Sequence, residues 1–84
     1  MISFHADAWD DYLYRQRTDK QMLKRINLLI REILREPFSG IGKPEQLKFD
    51  YAGYWSRRID DEHRVVYKVD TSGVVFLQIR FHYK

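Results

Sequence analysis

This chain predicts an α+β fold, two helices packed on one face of a twisted antiparallel sheet, from three observations. Apolar residues recur at helical spacing as far as Arg35. Beyond Trp55 the period drops to two, and apolar and polar side chains alternate through three runs. The 84 residues suit one small core, and no linker rich in Gly, Ser or Pro divides them, so residues 1–84 are read as a single domain.

Ile2 to His5 is short and partly apolar and suits a first strand. Trp9, Tyr12, Leu13 and Gln16 follow i, i+3, i+4, i+7 spacing, which predicts a first helix over residues 6–16. Thr18-Asp19-Lys20-Gln21 has the form of a capping box, in which the threonine hydroxyl accepts from one free backbone N–H and Gln21 reaches back to another. A second helix starts there, with Leu23, Ile26, Ile30, Ile33 and Leu34 as its apolar stripe. It should stop near Arg35, because Pro37 disfavours helical geometry at Glu36. Pro37 to Gln46, PFSGIGKPEQ, leaves little room for regular structure and reads as a shaped loop carrying Lys43 and Glu45.

In the strand region Trp55, Arg57 and Ile59 alternate with Ser56 and Arg58, and Val65, Tyr67 and Val69 with Arg64, Val66 and Lys68. Val75, Leu77, Ile79 and Phe81 then alternate with Phe76, Gln78, Arg80 and His82. The polar turns Asp60–His63 and Asp70–Gly73 join the three runs as an antiparallel meander. Ladder hydrogen bonds would hold the last run in place with Ile79 and Phe81 toward the helices and Arg80 and His82 on the other face. A hairpin centred near Asp61 sets Arg58 opposite Arg64, and like charges placed directly opposite repel. A shared anion such as a phosphate would give that pairing a reason.

With no cysteine, disulfides, thiolate metal sites and cysteine nucleophiles are excluded, and a reducing compartment is the natural home. MISFHADAWDD lacks a basic segment followed by a long apolar one, and no apolar run approaches membrane-spanning length, so a cytoplasmic protein with no membrane partner is expected. The formal charge of +3 mildly favours an anionic partner. Its distribution says more: residues 15–35 hold Arg15, Arg17, Lys20, Lys24, Arg25, Arg31 and Arg35 against Asp19 and Glu32. That is a basic helix face, although a solvated charged face would look the same.

Taken singly, His82, Glu45, Lys48, Arg58, Arg64 and Tyr83 read as ordinary surface residues. Together they supply what RNA strand cleavage needs: a base for the 2′-hydroxyl proton, an acid for the leaving 5′-oxygen, and fixed positive charge around the phosphate. The same set also suits a non-catalytic RNA- or ribosome-binding module, which would have no use for a carboxylate and an imidazole as a pair.

The stretches WDDYLY, TDK, KRINLLI, PFSGIGKPEQLK, GYWSRRIDDEHRVVYKV and the final FHY cover essentially the whole chain and occur in the order and spacing of a known family. On them the chain resembles the YoeB (Txe) toxins of bacterial type II toxin–antitoxin systems, within the RelE/ParE superfamily. The resemblance implies a microbial-ribonuclease-like fold and a ribosome-dependent mRNA endoribonuclease cutting in the A site. It implies neutralisation by a YefM-like antitoxin and needs no metal or cofactor; whether a homodimer forms stays open. Residue by residue, the family's general base falls on Glu45, its general acid on His82 and its phosphate-stabilising arginine on Arg64. Tyr83 joins the catalytic set, with Lys48 and Arg58 at supporting phosphate-binding positions. ParE toxins share the fold and act on gyrase, and the presence of Glu45 and His82 argues against that activity.

Overall fold

The computed structural model describes residues 1–80. In chain order the elements are β1 (Ile2–Phe4), α1 (Ala6–Thr18), α2 (Lys20–Arg35), β2 (Glu45–Gln46), a 3-10 turn (Phe49–Tyr51), β3 (Trp55–Arg58), β4 (Arg64–Asp70) and β5 (Gly73–Gln78). The strands form one sheet in the order β1-β5-β4-β3-β2. Ala8 of α1 and Ile26, Leu29 and Ile33 of α2 pack on Val65, Tyr67, Val74 and Phe76, which makes the expected α+β core. No helix among the described residues is long and apolar enough to cross a membrane.

The stripes settle slightly differently from their sequence reading. Ala8 is the buried position of α1, while Trp9 lies half exposed, its ring centroid 5.5 Å from that of Phe4 in an edge-on contact. On α2, Leu29 faces the sheet and Leu34 is 48% exposed, because Ile26, Leu29 and Ile33 form the line of sight to a flat partner.

The helix junction also departs from the capping box read at Thr18. Helix α1 runs through Thr18, whose hydroxyl donates to the Tyr14 carbonyl at 2.7 Å. The cap of α2 is Asp19, extended at φ −153°, whose Oδ1 accepts from the Met22 N–H at 3.0 Å. An N-cap needs extended backbone, and here that geometry falls one residue later than the sequence form suggests. Asp19→Ala should therefore cost about 1 kcal/mol in urea unfolding and Asp19→Asn almost nothing. Equal losses in both would deny the cap.

The sheet is antiparallel except at one edge, where β1 lies parallel to β5 with Ile2 beside Val74 and Phe4 beside Phe76. No hairpin links these strands, so no turn imposes an antiparallel sense. Packing sets it instead: Phe4 stacks on Phe76 at 5.1 Å, and the His5 N–H donates to the Phe76 carbonyl at 2.9 Å as the chain enters α1. At Gly73, φ 133°, a Cβ would overlap the Met1 backbone, so glycine is what lets β1 close against β5.

The last strand corrects the expected alternation. Gln78 pairs with Val66 and Phe76 with Tyr67, so Leu77 is one extra residue opposite a single step of β4. This bulge shifts the phase: Val74 and Phe76, not Val75 and Leu77, share the core with Ile79. Ile79 and Arg80 lie outside the ladder, and Arg80 turns to α1 rather than to the open face, its guanidinium 4.1 Å over the Tyr14 ring and 3.9 Å from Asp11. The expectations for Phe81, His82 and Tyr83 fall outside the described residues.

Candidate active site

Arg57 lies on the helix side of β3, and it is fully buried. Its Nη1 donates to the Ile41 carbonyl at 3.2 Å, and its Nη2 donates to Ser39 O at 2.9 Å and to Glu36 O. Its Nε donates to the Tyr67 hydroxyl at 3.2 Å, which in turn donates to Pro37 O at 2.6 Å. Burial pushes the Tyr67 phenol up, against the pull of the Arg57 charge, so the proton given to Pro37 stays in place at neutral pH. The Glu36 carbonyl closes the C-terminus of α2, where the helix dipole is negative and helps to offset the buried cation. One planar fork thus fixes the loop from Glu36 to Ile41.

The following residues are held just as closely. Gly42, φ 82°, would with a Cβ meet Leu29 at 2.9 Å and the Arg58 carbonyl at 3.1 Å, so the loop passes through a gap only glycine leaves. The Arg58 N–H donates to Gly42 O at 2.6 Å. Lys43 then takes φ 53°, and Glu45 enters β2 opposite Ser56 of β3.

The β3–β4 register pairs Arg58 with Arg64, as a hairpin centred near Asp61 requires. Asp60 shapes the turn by accepting from the Glu62 and His63 N–H groups at 2.9 and 2.7 Å. Partial desolvation works to raise the Asp60 carboxyl, but these donors hold it below the usual carboxylate range. The Nη1 of Arg64 donates to the Asp60 and His63 carbonyls at 3.1 and 3.2 Å. Carbonyls orient this guanidinium without cancelling its charge.

These elements converge on the sheet face away from the helices. Lys43, Pro44, Glu45, Ser56, Arg58 and Arg64 line an open cleft of about 230 Å³. Three cations and one carboxylate share it, and among the described residues no ion pair neutralises Arg58 or Arg64. Such a cleft can hold a phosphate on its arginines with a carboxylate beside it.

Of the residues singled out from sequence, the structure brings Glu45, Arg58 and Arg64 together in the cleft. Lys48 is exposed just before the 3-10 turn and is not part of the lining. His82 and Tyr83 fall outside the described residues. The chain leading to them is anchored: the Ile79 N–H donates to Asp11 Oδ2 at 3.1 Å, and burial raises that carboxyl against the opposing pull of Ile79 and Arg80. Lys43 and Ser56 were not named as site residues from sequence. The signal for Ser56 was its parity with Arg58, and for Lys43 its place two residues before Glu45.

The family model for YoeB-like toxins of bacterial type II toxin–antitoxin systems matches residues 4–83. The chain belongs to the YoeB toxin family. The YoeB toxin of Synechocystis sp. is 54% identical to it over 83 residues, covering 99% of this chain and 96% of the relative. A YoeB/ParE toxin from Agrobacterium tumefaciens superposes with a TM-score of 0.93 at 55% identity over 98% of both chains. A YoeB chain from a heterotetrameric YoeB–YefM toxin–antitoxin complex of Staphylococcus aureus does so with a TM-score of 0.91 at 46% identity, covering 99% of this chain and 97% of its own. The matched residues 4–83 include every residue that lines the cleft.

Proposed function

We propose that this toxin is a ribosome-dependent mRNA endoribonuclease that cuts in the A site by attack of the neighbouring 2′-hydroxyl. The observation that carries this reading is the convergence of Lys43, Arg58 and Arg64 with Glu45 in one open cleft. In-line displacement needs a base on one side of the phosphorus and an acid on the other. Glu45 takes the 2′-hydroxyl proton, Arg64 and Arg58 hold the phosphate oxygens as charge builds on them, and His82 gives a proton to the leaving 5′-oxygen. Tyr83 braces the imidazole or stacks on a base, and Lys48 meets the RNA backbone outside the cleft.

The reaction takes place in the cytoplasm, where translating ribosomes are. A YefM-like antitoxin is the inferred neutralising partner, as in the Staphylococcus aureus complex. Its acidic and apolar segment would cover the basic face of residues 15–35 and order on binding.

Incubation with translating ribosomes and a defined mRNA tests the reading. Cuts should fall in the A-site codon and leave a 2′,3′-cyclic phosphate or its 3′-phosphate hydrolysis product. Replacing the 2′-hydroxyl at the cut by hydrogen should stop the reaction. Continued cutting of that substrate would mean direct attack by water and would remove the roles of Glu45 and His82. Ribosome binding without any cut would favour the non-catalytic module.

A further inference from the structure

Phe49 opens the 3-10 turn with φ 57°, in the left-handed region, and its side chain is 91% exposed. Both features work against stability. A bulky side chain at positive φ costs on the order of 1–2 kcal/mol, and an exposed ring returns no burial energy to offset it. Glycine or asparagine would serve the turn better. A residue that the backbone disfavours and the core does not use points to a task outside the fold.

Its surroundings indicate which task. Exposed Lys48 precedes it, Tyr51 and Tyr54 follow with ring centroids 6.3 Å apart, and the Lys68 ammonium lies 5.5 Å over the Tyr54 ring. Rings interleaved with cations suit single-stranded nucleic acid, with Asp50 the one acid in residues 48–54. The strip continues from the cleft, because the Leu47 N–H donates to Tyr54 O at 2.9 Å and so extends the β2–β3 pairing beyond Gln46. Phe49 is four residues from Glu45, within about 14 Å along an extended chain. That is a few nucleotides of RNA from the bond to be cut.

We propose that Phe49 is a nucleobase-stacking subsite, its ring holding one unpaired base of the mRNA while Lys48 meets an adjacent phosphate. The proposal rests on the ribonuclease reading and adds to it a platform that fixes the strand relative to the cleft. An open ring flanked by Lys48 and Asp50, in a strip where aromatic rings alternate with charges, favours a base over a protein surface, which would need a broader apolar patch.

The test is cleavage of ribosome-bound mRNA by wild type and by Phe49→Ala, Phe49→Leu, Phe49→Trp and Phe49→Gly, with melting measured for each. Phe49→Ala and Phe49→Leu should lower kcat/KM by about 5- to 150-fold and Phe49→Trp should retain most activity. Phe49→Gly should lose activity while melting no lower than wild type. An abasic nucleotide at one position near the cut should bring wild type down to the Phe49→Ala rate and leave Phe49→Ala unaffected. Active wild type with an equally active Phe49→Ala overturns the subsite alone, and weakened antitoxin binding in that variant would assign the ring to the protein partner. A lower melting point for Phe49→Gly would show that the fold needs the ring and would also overturn it. A wild type that never cuts removes the ribonuclease reading itself.

Discussion

Arg57→Met should lower the unfolding free energy by about 3–5 kcal/mol, because each acceptor it leaves without a donor in the interior costs about 1–3 kcal/mol. The side chain is fully buried, and its removal strands the carbonyls of Glu36, Ser39 and Ile41 and the hydroxyl of Tyr67. Domains of this kind have only about 5–15 kcal/mol in all, so the loss is a large fraction of the total. Arg57→Lys should rescue little, because an ammonium is a compact point charge and cannot reach the three carbonyls that the planar fork spans. Tyr67→Phe removes one bridge and should cost about 1 kcal/mol. Urea denaturation measures all three. A loss below about 1 kcal/mol for Arg57→Met would mean that the fork does not hold the loop.

The second large effect is on the proposed RNA cleavage, in which Glu45 is the base and Arg64 holds the phosphate. Glu45→Gln should lower cleavage by about 10²–10⁴-fold, the range of one general base. Arg64→Ala should lower it by about 10²–10³-fold, because donors aimed at the phosphate serve the transition state more than the bound ground state. Both residues line the open cleft rather than the core, so unfolding should shift by no more than about 0.5 kcal/mol. Ribosome affinity should fall far less than the rate. Parallel losses of rate and affinity for Arg64→Ala would reduce it to a binding contact.

Much of this architecture was legible because it follows local rules. The switch of period from helix to strand, the stop before Pro37 and the opposition of Arg58 and Arg64 need only spacing and turn chemistry. What escaped depends on partners far away in sequence. The parallel sense of β1 comes from Phe4 meeting Phe76, and the place of Arg80 comes from Tyr14 and Asp11. The bulge at Leu77 leaves no mark in the apolar pattern, so alternation carried through it with the wrong phase. In the site, parity was enough to gather Arg58 and Arg64, and the loop residue Glu45 joins them through its pairing with Ser56. Alternation grouped Arg57 with Trp55 and Ile59, but nothing in the sequence says that its donors would go to backbone carbonyls.

The pairing of β1 with β5 also sets an order of events during synthesis. Residues 2–4 leave the ribosome early, yet their partners are residues 74–76, so the edge of the sheet stays unpaired until nearly all described residues have been made. Contacts of such long sequence separation are slow to form and come late in folding. The growing chain therefore exposes Phe4 and the helix faces to solvent while β5 is still missing. A protein of this topology cannot complete its core, or fix Ile79 against α1, before residues 74–79 have been made.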